Sequence, residues 1–240
     1  MEKPLVLITG AAGLFGGILR NHWGDRYRLR LTDIRPLNNL APHEEFIGAD
    51  ITQLDALIPL CQGVDTVVHL AADPDPHDRF YQSLLQRNIV GAYNIFTAAQ
   101  QAGCRRLVFA SSIDAVRGWW ERGEIAWDAP VYPTNIYGAS KCWGEALGRV
   151  YAEAGLSCIC VRLCNPHFDQ SGDWDPEQLT SGISPRDAAH LFARCIDVEE
   201  INFALVNGIS RHRRGRLDWK IAHQVLGYEP QDGTAFPRTD

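Results

Sequence analysis

Short apolar segments of strand character alternate with helical segments over the first two-thirds of this 240-residue chain. The segment 66–70 has no polar alternation, which is typical of a strand that is buried on both faces. Alternation of strands and helices predicts a parallel sheet with right-handed crossovers and helices on both faces. The predicted strands are 5–9, 28–33, 45–47, 66–70, 107–110, 157–163 and 202–206, and the longest predicted helices are 79–102 and 134–154.

A glycine-rich turn lies between the first predicted strand and the first predicted helix. In such a turn, Gly10 would allow a tight bend, Gly13 would let the backbone approach a pyrophosphate, and Gly16 would let the helix pack on the strand. The N–H groups and positive end of the helix then favour an anion. The turn predicts a doubly wound, Rossmann-type α/β fold that binds a dinucleotide.

Asp33, at the end of the second predicted strand, indicates which dinucleotide is bound. A carboxylate at this position accepts hydrogen bonds from the adenosine ribose, and it repels a 2′-phosphate. NAD is therefore favoured over NADP. Arg35 points the other way, because an arginine at this place accommodates that phosphate.

Tyr137 and Lys141 lie four residues apart in a predicted helix and share one of its faces. An ammonium beside a phenol favours the phenolate and lowers the tyrosine pKa, so that Tyr137 can act as a base near neutral pH. Ser111 and Ser112 end the preceding strand, and neighbouring strand residues point to opposite faces. We expect Ser112 to face the cleft and to complete a catalytic set that removes a proton and a hydride.

Composition restricts the partners and the compartment. The formal net charge of −6 argues against nucleic acid as the main partner. No apolar run approaches the ~20 residues of a membrane span, and the N-terminus lacks the features of a signal peptide. Seven cysteines, an odd number, fit a reducing cytoplasm better than a disulfide framework. We therefore expect a cytoplasmic protein that binds neither nucleic acid nor a membrane.

Two groups of residues have some of the character of a metal site. Cys158, Cys160 and Cys164 lie near His167, but buried small hydrophobic side chains are the simpler interpretation of these cysteines. The segment 73–78 contains three aspartates and a histidine, and it follows a strand where substrate sites of α/β folds collect. We interpret it as a substrate lid and expect no metal.

The motifs form an ordered set that resembles the extended short-chain dehydrogenases/reductases, the NAD-dependent epimerase/dehydratase superfamily. The landmarks are Thr9-Gly10-Ala11-Ala12-Gly13-Leu14-Phe15-Gly16, Asp33-Ile34, Asp50-Ile51, His69-Leu70-Ala71-Ala72, Asn88-Ile89-Val90-Gly91, Phe109-Ala110-Ser111-Ser112 and Tyr137-Gly138-Ala139-Ser140-Lys141. The resemblance implies an NAD-dependent homodimer with Ser112, Tyr137 and Lys141 as catalytic residues. The cofactor-binding residues that it implies are Gly10, Gly13, Leu14, Phe15, Gly16, Asp33, Ile34, Asp50, Ile51, Leu70, Ala71, Ala72, Asn88, Ser111, Tyr137, Lys141 and Asn165.

Within this family the chain is similar to the uronate dehydrogenases, notably over 108–112 and 137–145. Those enzymes take hydride from C1 of a sugar acid and give the lactone, which implies a sugar-like substrate here. Two departures concern the carboxylate of that substrate. Ile113-Asp114 replaces the Asn-His of that group, and 171–178 has three carboxylates where an arginine is expected. Such a segment would repel an anionic sugar.

The sequence therefore indicates the type of reaction more clearly than the identity of the substrate. Trp119 and Trp120 could form the base of a sugar-binding site or pack in the core. The basic run 211–216 could be a solvated loop or could contact an anion. The candidate substrate residues are Asp73, Ser112, Ile113, Asp114 and Asn165.

The expected domain organisation is an NAD-binding domain over 1–163 and a small substrate-binding portion over 164–240 that is not an independent domain. The leading hypothesis is an NAD-dependent dehydrogenase of a sugar or sugar acid. A sugar-nucleotide epimerase or dehydratase is the alternative, although few residues remain after the last strand for a nucleotide-binding domain. A protein that binds NAD without turnover is a third hypothesis, and the intact Ser112, Tyr137 and Lys141 argue against it.

Overall fold

Seven parallel strands form one sheet in the order β3-β2-β1-β4-β5-β6-β7. The computed structural model of the chain describes residues 3–75, 80–166, 182–212 and 216–233. The strands are β1 (Leu5–Thr9), β2 (Arg28–Thr32), β3 (Glu44–Phe46), β4 (Thr66–His69), β5 (Arg106–Ser112), β6 (Ser157–Leu163) and β7 (Phe203–Gly208). This order, with the change of direction between β1 and β4, confirms the predicted doubly wound Rossmann-type fold.

Helices cover both faces of the sheet. They are α1 (Leu14–Trp23), α2 (Leu54–Cys61), a π-helix (Phe80–Val90) that runs into α3 (Gly91–Gln101), α4 (Ile136–Glu153), α5 (Pro185–Asp197) and α6 (Lys220–Leu226). The 3₁₀ turns are Gly24–Arg26, Ile113–Ala115 and Arg117–Arg122. None of the helices within the described ranges is long and apolar enough to cross a membrane.

The side chains of strand β1 contribute to two hydrophobic cores, one on each face of the sheet. Val6 and Ile8 point to one face and pack with residues of α1 and α5, whereas Leu7 points to the other face and packs with residues of α2 and α3. Successive side chains of a strand alternate between faces, so an uninterrupted apolar strand is stable only when both faces are covered. This is why the apolar runs predicted a parallel sheet.

Strand β5 is longer than the predicted segment 107–110 at both ends. At its start, the fully buried guanidinium of Arg106 donates to the carbonyls of Cys195 and Ile196 near the end of α5. At its end, Ser111 and Ser112 continue the pairing with β6. Strand β7 joins the same sheet beyond β6, so residues after 163 also contribute to its core. The division at 163 stays a prediction.

Candidate functional site

A cavity of about 670 Å³ lies at the carboxyl ends of β1, β2, β4 and β5. This is where ligands bind in open α/β sheets, and the volume suits a small organic ligand. Every residue predicted to bind the cofactor, except Asn88, lines this cavity. The lining residues outside the predicted catalytic, cofactor-binding and substrate-binding sets are Thr32, Arg35, Ala49, Pro74, Arg87, Ala110, Leu163 and Pro166.

The glycine turn fits a dinucleotide. Gly10 has φ +71°, and a Cβ there would lie 2.7 Å from the backbone nitrogen of Ala71. A Cβ on Gly16 would lie 2.4 Å from the carbonyl oxygen of Ala11. Helix α1 begins directly after Gly13, which has no side chain to cap the first turn, so its N–H groups and positive end suit an anion.

Asp33 is held firmly beside the glycine turn, at one end of the cavity. Its Oδ2 accepts a hydrogen bond from the N–H of Ala12 at 3.0 Å, and its Oδ1 accepts one from the N–H of Arg35 at 2.9 Å. The guanidinium of Arg35 donates to the carbonyl of Ala12 at 2.8 Å. These contacts fix the carboxylate against the glycine turn.

Ser112, Tyr137 and Lys141 meet at the opposite end of the cavity. The Ser112 hydroxyl accepts the N–H of Asp114 at 3.1 Å and also hydrogen-bonds to the Tyr137 phenol. Lys141 Nζ donates to the carbonyl of Ala110 at 2.8 Å and lies 5.5 Å from the centre of the Tyr137 ring. The three polar groups therefore face one volume.

The pKa of Tyr137 in the folded chain differs from the expectation that Lys141 lowers it. Burial raises the pKa of Tyr137 to about 12; the hydrogen bond with Ser112 lowers it, and the carboxylates of Asp114 and Asp73 raise it. Burial also lowers the pKa of Lys141 to about 8. Because both groups are removed from water, desolvation outweighs their mutual effect.

Behind Ser112, Tyr137 and Lys141 lies a buried ion pair. The guanidinium of Arg162 on β6 donates to both carboxylate oxygens of Glu145 on α4 at 2.8 Å. Ser111 donates to the same carboxylate at 2.6 Å, which turns its hydroxyl away from Tyr137. Ser112 is thus the serine of the pair that reaches the phenol.

Asn88 does not line the cavity. Its side chain instead forms hydrogen bonds that connect two segments of the cavity wall. Its side chain accepts the N–H of Asp73 at 2.8 Å and donates to the Ser140 hydroxyl at 3.0 Å. Ser140 in turn donates to the carbonyl of Tyr137 at 2.7 Å. Asn88 therefore connects the loop after β4 to the helix that carries Tyr137.

The candidate substrate residues are divided by the structure. Ser112 and Asn165 line the cavity. Ile113 does not; it is buried in a small apolar cluster with Trp119 and Trp120 packed against it. Asp73 is buried and accepts hydrogen bonds from Ser83 and from the N–H of Asp75, whereas Asp114 is partly exposed. The acidic segment 171–178, the lid residues 76–78, residue 167 and residues 213–215 of the basic run lie outside the described residues.

His69 at the end of β4 supports the floor of the cavity. Its Nδ1 is 2.7 Å from the Thr9 hydroxyl, which also accepts the N–H of Ala71. Burial lowers the pKa of His69 to about 3, with Lys141 acting in the same direction. The imidazole is therefore neutral in the folded chain. In the part of the chain that the structure describes, no group of three or more His, Cys, Asp or Glu residues could hold a metal ion.

Neutral burial of His69 predicts a loss of stability on mild acidification. The unfolded chain binds the proton below pH 6.5 and the folded chain does not, so the free energy of unfolding falls as pH decreases. Between pH 7.5 and 5.5 the loss from this residue is about 1.4 kcal/mol. Urea titrations of wild type and His69→Gln at both pH values measure it. An equal pH dependence in the two proteins would contradict the assignment.

Comparison with known proteins is consistent with this geometry. The model of the NAD dependent epimerase/dehydratase family matches residues 6–184. An NAD-dependent glucose-6-phosphate dehydrogenase of Haloferax volcanii is 35% identical, covering 98% of this chain and 95% of that protein. A uronate dehydrogenase of Pseudomonas putida is 32% identical, covering 95% and 84%. A crystal structure of a mutant uronate dehydrogenase from Agrobacterium tumefaciens complexed with NAD is similar with a TM-score of 0.81 and 29% identity, covering 96% and 85%.

Proposed function

Because the chain belongs to the NAD-dependent epimerase/dehydratase family, we propose that it oxidises a sugar or sugar acid at the C1 hydroxyl and gives the lactone. It is an NAD-dependent dehydrogenase, as the sequence predicted. The observation that carries the proposal is the meeting of Ser112, Tyr137 and Lys141 at one end of a cavity whose other end holds the glycine turn and Asp33.

The residues present fit NAD. The first turn of α1 would hold the diphosphate, Asp33 would accept hydrogen bonds from the adenosine ribose, and Asp50 and Ile51 would flank the adenine. Ala71 and Ala72 would line the cleft, and Asn165 would contact the nicotinamide side. NAD supplies a hydride acceptor and, in its oxidised form, a positive charge.

Tyr137 takes the proton of the substrate hydroxyl in this proposal. Ser112 holds the hydroxyl oxygen and hydrogen-bonds to the phenol, which favours the phenolate. Lys141 is anchored on the carbonyl of Ala110 and holds the nicotinamide ribose. General base catalysis of this kind contributes about 10²–10⁴-fold, and positioning contributes the remainder.

The substrate class rests on the relatives. Those named above are dehydrogenases of glucose 6-phosphate and of uronate, and an L-arabinose 1-dehydrogenase of Haloferax volcanii is 31% identical over 96% of this chain. The first of these substrates is a sugar phosphate, the second a sugar acid and the third a neutral sugar, so they share no anionic group. We therefore propose the aldose C1 hydroxyl as the common feature that this chain recognises.

Formation of NADH at 340 nm from NAD and a panel of aldoses, aldose phosphates, uronic acids and nucleotide sugars tests the proposal. We expect stoichiometric NADH and a lactone product with at least one free sugar or sugar acid. A nucleotide sugar that is isomerised or dehydrated with no net NADH would overturn the proposal and support the epimerase or dehydratase alternative.

We also propose that the chain forms a homodimer in the cytoplasm. Tyr93 on α3 and Trp143 and Val150 on α4 are exposed apolar side chains, and we propose that these two helices pair across a two-fold axis. The seven cysteines are free thiols, which supports a reducing compartment. A monomeric mass by light scattering at micromolar concentration, or recovery outside the cytoplasmic fraction, would contradict the respective statement.

A further inference from the structure

Three cationic side chains are among the described residues that line the cavity: Arg35, Arg87 and Lys141. Arg35 donates to the carbonyl of Ala12 at the ribose end, and Lys141 donates to the carbonyl of Ala110 at the catalytic end. Arg87, on the π-helix, has a different environment. Its side chain is 49% exposed, and it makes an ion pair of 3.6 Å with Oδ2 of Asp73.

Each carboxylate oxygen of Asp73 already accepts one hydrogen bond. Its Oδ1 accepts the N–H of Asp75 at 3.0 Å, and its Oδ2 accepts the Ser83 hydroxyl. At 3.6 Å the guanidinium of Arg87 is attracted by this carboxylate but lies beyond hydrogen-bond distance. Within the described ranges it donates no hydrogen bond, although a guanidinium carries five N–H donors. Asp73 therefore orients Arg87 and leaves its donors for a ligand.

The position of Arg87 along the cavity follows from its neighbours. Gly91 lies about one turn further along the helix and packs against Ile51, because a Cβ at Gly91 would be 2.6 Å from the Cδ1 of Ile51. Ile51 belongs to the end where the adenosine is expected. Asn88, the next residue, is tied through Ser140 to the helix of Tyr137. Arg87 thus lies between the adenosine end and the catalytic end.

The glycine turn and Arg87 lie on opposite sides of the cavity. Helix α1 packs on the sheet face that carries α5, whereas the helix that follows Arg87 packs on the other face with α2. In a dinucleotide, the diphosphate joins the two nucleoside halves and occupies the middle of the site. The first turn of α1 provides it with N–H donors and only a partial positive charge.

We propose that Arg87 binds the diphosphate of the cofactor from the wall opposite the glycine turn and supplies a full positive charge there. The inference rests on the proposed function only in that NAD is the ligand of this cavity. Arginine is suited to the task, since its planar donors match two phosphate oxygens at once.

The test is nucleotide binding by calorimetry to Arg87→Gln, Arg87→Lys and a matched control, Arg117→Gln. Arg117 is 50% exposed and lies 3.9 Å from a carboxylate oxygen of Asp114. The probes are NAD and ADP, which carry the diphosphate, and adenosine, which does not. We expect Arg87→Gln to weaken NAD and ADP about tenfold at low salt, and less at high salt. Adenosine affinity should remain unchanged, Arg87→Lys should retain part of the ADP affinity, and Arg117→Gln should match wild type.

Three results would overturn the inference. Unchanged ADP affinity in Arg87→Gln would show that the guanidinium does not reach the diphosphate. An equal loss for adenosine would indicate a general disturbance of the site. Unchanged NAD affinity with a raised KM for an anionic sugar would assign Arg87 to the substrate instead. These binding measurements do not depend on turnover, so a chain that binds NAD but oxidises no sugar would refute the proposed function alone.

Discussion

Tyr137→Phe is expected to lower kcat by about 10²–10⁴-fold while NAD affinity stays nearly unchanged. The substitution removes the phenol oxygen, which is the proposed base, and keeps the ring and its packing beside Lys141. A base acts only in its deprotonated form. Because burial raises the pKa of Tyr137 to about 12, the active fraction of wild type increases with pH throughout the neutral range.

The pH dependence separates catalysis from structure. Wild-type kcat should increase with pH between about 7 and 9, whereas the residual kcat of Tyr137→Phe should lack this increase. Tyr81→Phe is the control, because Tyr81 is 81% exposed and does not line the cavity. Steady-state kinetics on the best sugar of the panel, with NAD binding measured separately, make the comparison. Retention of wild-type kcat in Tyr137→Phe would refute the assignment of the base.

The elements that could be predicted are those whose cause is local. The glycine turn and the Tyr137–Lys141 spacing depend on neighbours within a few residues. The place of Asp33 depends on the strand order of the Rossmann-type fold. The apolar runs of β1 and β4 could be interpreted because a strand buried on both faces has no polar alternation. These features were enough to predict the fold, the family and NAD.

Other features could not be predicted, because they depend on tertiary burial. Glu145 and Arg162 would each be assigned to solvent from their residue type alone, yet both are buried and paired. The raised pKa of Tyr137 and the lowered pKa of His69 arise mainly from desolvation, which no spacing reveals. Arg87 directly precedes the landmark Asn88, and only the surrounding fold places it in the cavity.

Arg162→Met is expected to lower the free energy of unfolding by about 3–5 kcal/mol, because it leaves the carboxylate of Glu145 buried without its cation. The two side chains are only 2% and 7% exposed in the folded chain. Met fills much of the same volume, so the expected loss reflects charge rather than a cavity. Urea unfolding monitored by fluorescence measures the change.

A double variant distinguishes the ion pair from simple packing. Arg162→Met combined with Glu145→Gln removes both charges, and the amide oxygen of Gln still accepts the hydrogen bond of Ser111. We expect this protein to recover most of the stability that Arg162→Met loses, since a buried charge no longer lacks a partner. Lys3→Met, at an exposed pair with Asp25, should change the unfolding free energy little. If the losses of the two core substitutions instead add, the cost lies in packing around β6, and the charge of Glu145 has no special role in stability.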